Sequence, residues 1–305
     1  MKKVLGINIS HHVSFAYFED NVLKEYYEEG RFTKIKHMVP PFPLGDPYDY
    51  EVLKKFKDIT FDCVVFISAI RESITEEKLI IDNILRQVNC KNFKFYCDEH
   101  HIFHAVCGYY FSNFDTATAV TTDGGGDRVH KHFQTMESIF TINKKEVKTH
   151  YKCASNIRYY YYLNDSNEKI ILDEKMDGHD VRLNNKRIGG YKYLKYREEA
   201  GFEEGEDGQL MGIAAYRNKN TNLDKRILEI AHKAQEETLQ ERIELIEKAL
   251  TYSDCKNIIL SGGYHLNCSN NFKLVKHFPK LNIFVDPIPY DGGTAVGGGY
   301  FYENY

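Results

Sequence analysis

The sequence predicts an α/β protein, on three observations. Short apolar runs suited to strands alternate with amphipathic stretches at helical spacing. Glycine-rich turns follow several of these strands. The composition is that of an ordinary globular chain, with 305 residues of which 42% are hydrophobic and 28% charged, enough to bury a core in one large or two medium domains. No apolar run approaches the roughly 18–20 residues of a membrane span. The basic start MKKVLGINIS lacks the apolar core and small-residue site of a signal peptide, so a cytoplasmic location without membrane contact is expected. Seven scattered cysteines without a C-x-x-C pair signal neither a disulfide framework nor a thiolate zinc site. A net charge of −4 makes no global electrostatic case for nucleic acid.

Element by element, residues 4–9 read as a buried strand, and a polar loop (Ser10, His11, His12) leads to a second strand at 15–18, an opening hairpin. Asp20-Asn21 marks a turn into a strand at 22–27, which runs into the charged, proline-containing loop EEGRFTKIKHMVPPFP. The apolar run 63–67 suits a sheet covered on both faces. A helix is expected at about 76–88, a strand at 93–96, a helix at 100–110, and a strand at 117–122 ending in Asp123-Gly124-Gly125-Gly126-Asp127. The segment 131–200 differs. Short tyrosine-rich β-like pieces and turn signals at Asn184-Asn185 and Gly189-Gly190 mark it as an insertion. A long helix (222–251), a strand (257–260) meeting Ser261-Gly262-Gly263, a helix, a strand (283–285) and a glycine-bounded helix after Asp291 complete the chain. The expected organisation is an N-terminal α/β lobe (1–130), a β-rich, Tyr-rich insertion (131–200) and a C-terminal α/β lobe (201–305). No internal sequence repeat is apparent.

Four constellations bear on chemistry. Three glycine-rich turns, after Gly6-Ile7-Asn8, at Asp123–Asp127 and at Ser261-Gly262-Gly263, each follow a strand, where backbone N–H groups approach phosphate oxygens closely. One such turn is equally a tight strand exit; three in this order, with a fourth at Asp291-Gly292-Gly293, favour a phosphate site. His100 and His104 lie four apart and share one helix face, as in two-histidine metal sites. A third ligand must come from elsewhere, with Asp123 and Asp291 as candidates, and such a set suits Fe, Zn or Mn. Histidines that cap or line a helix start remain the alternative. Arg31, Lys36 and His37 form a basic cluster that suits an anionic ligand, or else a solvated loop. The run 184–197 carries five basic residues, three tyrosines and no acid, as a nucleic-acid groove would. The acidic stretch that follows it allows a charge-balanced surface instead, and Tyr159–Tyr162 adds either stacking surface or strand core.

In chain order these motifs resemble the O-carbamoyltransferases of the nodulation and antibiotic-tailoring type. GINISHHVS is similar to that family's G-x-N-x-x-H-D-x-S, and EEGRFTKIKH to its E-x-E-R-F-[ST]-x-x-K-H. DEHHIFHA followed by a strand and DGGGD resembles H-H-x-x-H-A followed by D-G-x-G-[ED]. DGQLMGIAAY, LSGGYHLNCSNNFKL and PYDGGTAVGGG resemble E-G-K-x-M-G-L-A-x-Y, G-G-x-x-L-N-x-x-x-N and D-x-G-x-A-x-G. Only 131–200 has no counterpart.

The resemblance implies the actin/hexokinase-like (ASKHA) fold of the tRNA threonylcarbamoyl-adenosine synthases, with two α/β lobes about a nucleotide cleft. It implies ATP-dependent carbamoyl transfer, in which carbamoyl phosphate yields a carbamoyl-adenylate and the carbamoyl group passes to an acceptor hydroxyl with AMP leaving. Gly124, Gly125, Gly126, Gly262 and Gly263 would then be phosphate and adenosine loops, with Asn267 and Asn271 contacting adenosine. His100, His104 and Asp291, with Asp123 nearby, would hold a divalent metal (Fe, Mn or Zn), with Mg a further cofactor. His11 and Lys36 would stand beside the carbamoyl group, and Asp207 would accept the acceptor's proton. Arg31 would hold an anionic group or a structural partner.

Two departures stand out: His12 replaces an Asp, and Gln209 a Lys. The family's adenylate-forming domain has no counterpart before Tyr305, so the adenylate is expected either to form in the one cleft or to come from a separate protein. The Tyr/Lys/Arg-rich stretch favours DNA or RNA as acceptor, for instance a hydroxymethylated base, over a sugar or other small-molecule hydroxyl. A non-catalytic nucleotide-binding subunit and an ATP-dependent kinase of the same fold superfamily are the competing readings.

Overall fold

Two sheets of the same strand order frame the molecule. In the computed structural model, which describes residues 1–40, 47–69, 74–130, 133–156, 171–184, 188–203, 205–216 and 222–305, the first begins as an antiparallel meander. Its strands are β1 (Lys3–Asn8), β2 (Ser14–Glu19) and β3 (Val22–Glu28), with the short helix α1 (Glu29–Thr33) after them. Asp20 and Asn21 supply the two positive φ angles (47° and 66°) of the β2–β3 turn, the geometry that matches strand twist in a two-residue hairpin. A two-stranded pair, β4 (Thr60–Phe61) and β6 (Asn89–Cys90), flanks the sheet, while β5 (Cys63–Ile67) and β7 (Phe93–Tyr96) extend it in parallel. The order is β3-β2-β1-β5-β7.

β1 is buried on both faces, and its period of two sorts its side chains. Leu5 and Ile7 pack with Phe15, Val64, Phe66 and Ile84 on the side of α2 (Ile74–Leu85). Val4 meets Phe18, Val65, Phe103 and Val296 on the other. That second side is covered by α3 (His100–Ser112) and, at the far end of the chain, by a helix at Thr294–Asn304.

The second sheet repeats the plan. β8 (Thr116–Thr122), β10 (Phe133–Asn143) and β11 (Val147–Asn156) are antiparallel; β14 (Asn257–Ser261) and β15 (Asn282–Val285) add in parallel. The shared order β11-β10-β8-β14-β15 mirrors the first sheet, with β9 (Arg128–His130) beside β10 and the pair β12 (Ile171–Met176) and β13 (His179–Asn184) extending the β11 edge. The helices of this half are α4 (Gly190–Ala200), α5 (Asp207–Ile213), α6 (Lys225–Tyr252) and α7 (Cys268–His277), followed by α8 (Thr294–Asn304).

The expected domain boundaries at 130 and 200 do not follow the sheets. β10 and β11 are central strands of the second sheet, with Met136, Ile139, Phe140 and Ile142 buried, so they complete a lobe that begins at Thr116 rather than forming an insertion. Residues 190–200 are helical, and α8 returns to pack on β1 and β5 of the first sheet. The basic, Tyr-rich stretch also serves the interior. Tyr193 and Tyr196 are buried and donate hydrogen bonds to Gln235 Oε1 and Glu237 Oε2 (2.5 Å each), while Lys192 Nζ lies 2.7 Å from Glu241. These residues offer no stacking groove; Asn185, Lys186, Arg187 and Tyr159–Tyr162 lie outside the described residues. No described helix is long and apolar enough to cross a membrane.

The glycines of α8 explain how this helix seats. A Cβ on Gly297 would stand 1.8 Å from the Phe103 carbonyl oxygen, and one on Gly6 2.1 Å from the Ala295 carbonyl oxygen. Backbone cannot yield as a flexible side chain does. Gly297→Ala is therefore expected to cost about 2–3 kcal/mol of stability, read as a lower urea midpoint at unchanged slope. An unchanged midpoint would mean that α8 does not seat this closely on α3.

Candidate metal centre and active site

The site is assembled where β1, β8 and β14 end, the edge at which open α/β sheets bind ligands. α3 starts at His100, whose backbone N–H donates to Asp127 Oδ1 at 2.7 Å. The second aspartate of DGGGD thus satisfies a free donor at the helix start, and Lys152 Nζ lies 3.5 Å from its other oxygen. With the helix so placed, His100 and His104 project one turn apart, with their Nε2 atoms 3.1 Å from each other. Asp123 Oδ2, just past β8, is 3.2 Å from His100 Nε2 and 3.7 Å from His104 Nε2. Asp291 Oδ1, just before α8, is 3.8 and 3.9 Å from the same atoms. The Gly263 N–H donates to Asp123 Oδ1 at 2.9 Å, and Ser10 Oγ lies 3.2 Å from Asp291 Oδ2. Both lobes therefore orient the carboxylates.

This donor set fits one divalent ion. Ligand atoms each about 2.1 Å from an ion stand roughly 3.0–3.4 Å apart at octahedral or tetrahedral angles. The observed separations begin at 3.1 Å, and all four atoms lie within 4.8 Å of one another. The field agrees. Burial works against a charged imidazole, yet the carboxylates of Asp123 and Asp291 outweigh it and push His100 up to about 9. Burial likewise opposes the charge on Asp123, but the two histidines hold its carboxyl well below the usual range. One attraction, seen from both partners, describes a cage that draws in a cation. The Nδ1 atoms of His100 and His104 are buried with no hydrogen-bond partner among the described residues.

Beside the cage opens a pocket of ≈ 530 Å³. Arg31, Lys36 and His37 line it, together with Lys34, His12 and Tyr290. His12 and His37 share a hydrogen bond between Nε2 and Nδ1 at 2.7 Å, and burial lowers the pKa of both imidazoles. His11 is exposed on the β1–β2 loop, and its backbone carbonyl accepts from Asn8 Nδ2 at 2.7 Å. Asp207 begins α5, lies 3.7 Å from Arg197, and its charge reaches His37. His12, Lys34 and Tyr290 were not singled out by sequence reasoning as site residues; His12 was visible only as a departure from the family motif.

The glycines divide. Gly124 faces open space, so its backbone is approachable, whereas a Cβ on Gly126 would strike the His101 ring at 2.3 Å. Gly125 abuts the Gln134 amide. Gly262 adopts φ +93°, with its Cβ position 2.2 Å from the Thr122 carbonyl oxygen, a close approach that only glycine permits. Gly189-Gly190, read from sequence as a turn alone, lies against Gly124 at the start of α4. Asn267 and Asn271 turn inward. Asn267 accepts from the Asn270 N–H to cap α7 and donates to Tyr193 Oη at 2.7 Å. Asn271 donates to the His265 carbonyl and accepts from His265 Nδ1 at 3.0 Å.

His265 itself has a measurable consequence. Burial, with the Arg242 charge behind it, lowers its pKa to about 3 despite the Asn271 hydrogen bond. The unfolded imidazole takes up its proton near pH 6.5 while the folded one does not. Stability from this group is thus full above about pH 6.5 and falls as pH drops, by about 1.4 kcal/mol per unit, until the folded pKa is reached. His265→Gln is expected to flatten the pH dependence of the urea midpoint between pH 6 and 4 by one proton's worth; an unchanged slope would refute this.

The duplicated sheet plan and its cleft are those of the actin/hexokinase-like α/β fold, and solved structures align accordingly. A ROK family protein from Streptococcus pneumoniae TIGR4, in complex with sucrose, superposes with a TM-score of 0.55 at 10% identity, over 98% of this chain and 97% of that one. Full-length HypF in its phosphate- and nucleotide-bound form gives 0.57 at 11% identity, over 99% of this chain and 55% of that one. HypF from T. kodakarensis gives 0.52 at 12% identity, over 100% and 48%. At such identities the likeness is one of fold alone.

The family model for the carbamoyltransferase N-terminus matches residues 42–299, and the chain belongs to that family. An uncharacterized protein of Synechocystis sp. (strain ATCC 27184 / PCC 6803 / Kazusa) is 25% identical over 361 residues, covering 97% of this chain and 56% of that protein. The chain thus spans about half the length of the curated relative it matches.

Proposed function

We propose that this chain performs O-carbamoyl transfer, from carbamoyl phosphate through an ATP-derived carbamoyl-adenylate to an acceptor hydroxyl. The observation that carries this reading is the four-donor cage of His100, His104, Asp123 and Asp291, in a chain of the carbamoyltransferase N-terminus family. A divalent ion held there supplies Lewis-acid polarisation of the substrate's oxygens. The backbone at Gly124 and at Gly262-Gly263, with Gly189-Gly190 beside it, offers N–H groups to the nucleotide phosphates. Gly125 and Gly126 support that loop against Gln134 and His101. Asn267 and Asn271 shape the adenosine side from behind, since their polar atoms are engaged within the protein.

His11 and Lys36 donate to the carbamoyl oxygen as charge develops on it. Asp207 takes the acceptor's proton, with Arg197 holding the carboxylate in place. The acceptor oxygen forms a bond to the carbamoyl carbon, the bond from that carbon to the phosphate oxygen breaks, and AMP leaves.

Incubation with ATP, carbamoyl phosphate and a panel of hydroxyl acceptors (hydroxymethylated nucleosides, DNA, tRNA, sugars), read by the mass gain of one carbamoyl group and by nucleotide analysis, tests this. AMP and a carbamoylated product are expected. ADP with a phosphorylated product would mean a kinase, and a product indifferent to loss of His100 would mean that the cage takes no part.

A further inference from the structure

The pocket beside the cage holds more positive charge than carbamoyl transfer needs. Arg31, Lys34 and Lys36 face one wall carboxylate, Glu28, which is already engaged: the Tyr26 and Tyr290 hydroxyls donate to it, and Arg31 Nε lies 3.6 Å from it. Lys36 serves the carbamoyl group in the reading above. Lys34 has no carboxylate within ion-pair distance among the described residues and no role in that chemistry. His12 and His37, joined by their Nε2–Nδ1 hydrogen bond, add ring N–H and N sites without adding negative charge. The rest of the lining is apolar. Ile35 comes from the first lobe and Leu266 from the second, each more than half exposed (54% and 53%), so a flat ring placed there would remove apolar surface from water on both sides.

From this arrangement we infer that the acceptor is a phosphate-bearing compound with a planar ring, of nucleotide chemistry. Its ring lies between Ile35 and Leu266, its phosphate on Arg31 and Lys34, and its hydroxyl toward the cage. The inference rests on the carbamoyl-transfer reading and supplies its acceptor class. Tyr193 and Tyr196 contribute no stacking surface to this acceptor, since both are buried.

The test compares a hydroxymethylated pyrimidine nucleoside, its 5′-monophosphate and a short strand containing it as acceptors. The monophosphate, the strand or both should exceed the nucleoside in kcat/KM by about 10- to 100-fold, the range expected of charge-assisted contacts, and which of them does so identifies free nucleotide or nucleic acid as the source. Lys34→Gln should collapse that ratio through the acceptor KM. Equal use of nucleoside and phosphorylated forms overturns the inference while leaving carbamoyl transfer intact. So does a Lys34→Gln effect confined to the KM for carbamoyl phosphate, which would make the donor the pocket's ligand. Should no acceptor be carbamoylated, calorimetric titration of the nucleoside and its monophosphate separates the two ideas. A preference for the monophosphate that Lys34→Gln abolishes upholds the pocket although transfer fails; no preference overturns it.

Discussion

His100→Ala and His104→Ala are each expected to abolish divalent-metal binding at the proposed cage and to lower the proposed carbamoyl transfer by about 10³-fold or more. The cage has four donors, and each histidine stands within 4 Å of both carboxylates. Removing either leaves one imidazole and two carboxylates, one neutral nitrogen donor fewer for the ion. Lewis-acid stabilisation of several kcal/mol, at about 1.4 kcal/mol per decade, corresponds to a factor of about 10³. Metal content by mass spectrometry and turnover by AMP release are to be read on the same samples. Loss of metal with full turnover would make the ion structural. Asp127→Ala provides the graded comparison, since it removes the hydrogen bond that seats the start of α3 and the Lys152 contact but no cage donor. It should cost about 1 kcal/mol of stability and weaken metal retention without abolishing it.

The two histidines and two aspartates were readable as candidates because a helix makes an i, i+4 pair recognisable and strand ends mark where carboxylates point into a cleft; only the family resemblance joined them into one set. The hairpin at Asp20-Asn21 and the apolar run Cys63–Ile67 were legible for similar local reasons. The symmetry of the two sheets was not. It resides in pairing partners, not in residues, and β10 reads like any half-apolar strand until its pairing with β8 is known. The tyrosines of 190–200 misled for a related reason. Their spacing fits a helix whose Tyr193 and Tyr196 face inward, and only the partner residues Gln235 and Glu237 on α6 show this. Lys34 escaped notice because a single lysine in a charged loop carries no pattern; its meaning comes from the wall it shares with Tyr290, more than 250 positions away.

Arg242→Met is expected to destabilise the protein by about 3–5 kcal/mol, the cost of leaving one member of a buried ion pair without its partner. Arg242, on α6, is among the largest fully buried side chains. Its guanidinium donates to Glu137 on β10 and to the Thr122 hydroxyl at the end of β8, and lies 5.1 Å from the Tyr264 ring centroid. Glu137 is itself buried, so without the arginine its carboxylate has lost a cation and gained no water. Arg242→Lys should recover only part of the loss, because a single ammonium cannot reproduce the fork that serves Thr122 and Glu137 together. The double variant Arg242→Met with Glu137→Leu removes both charges and should recover most of it, as replacing a whole buried pair by apolar groups often does. The three urea midpoints decide the matter: a double variant no better than Arg242→Met alone would mean that the pair is not what the arginine stabilises. The same network bears on the metal centre. Thr122 immediately precedes Asp123, and its carbonyl packs against Gly262, so Arg242 braces the two loops that orient one cage carboxylate. Metal retention should therefore fall in Arg242→Met and remain below wild type in the double variant, even where stability returns, because the apolar pair cannot donate to Thr122.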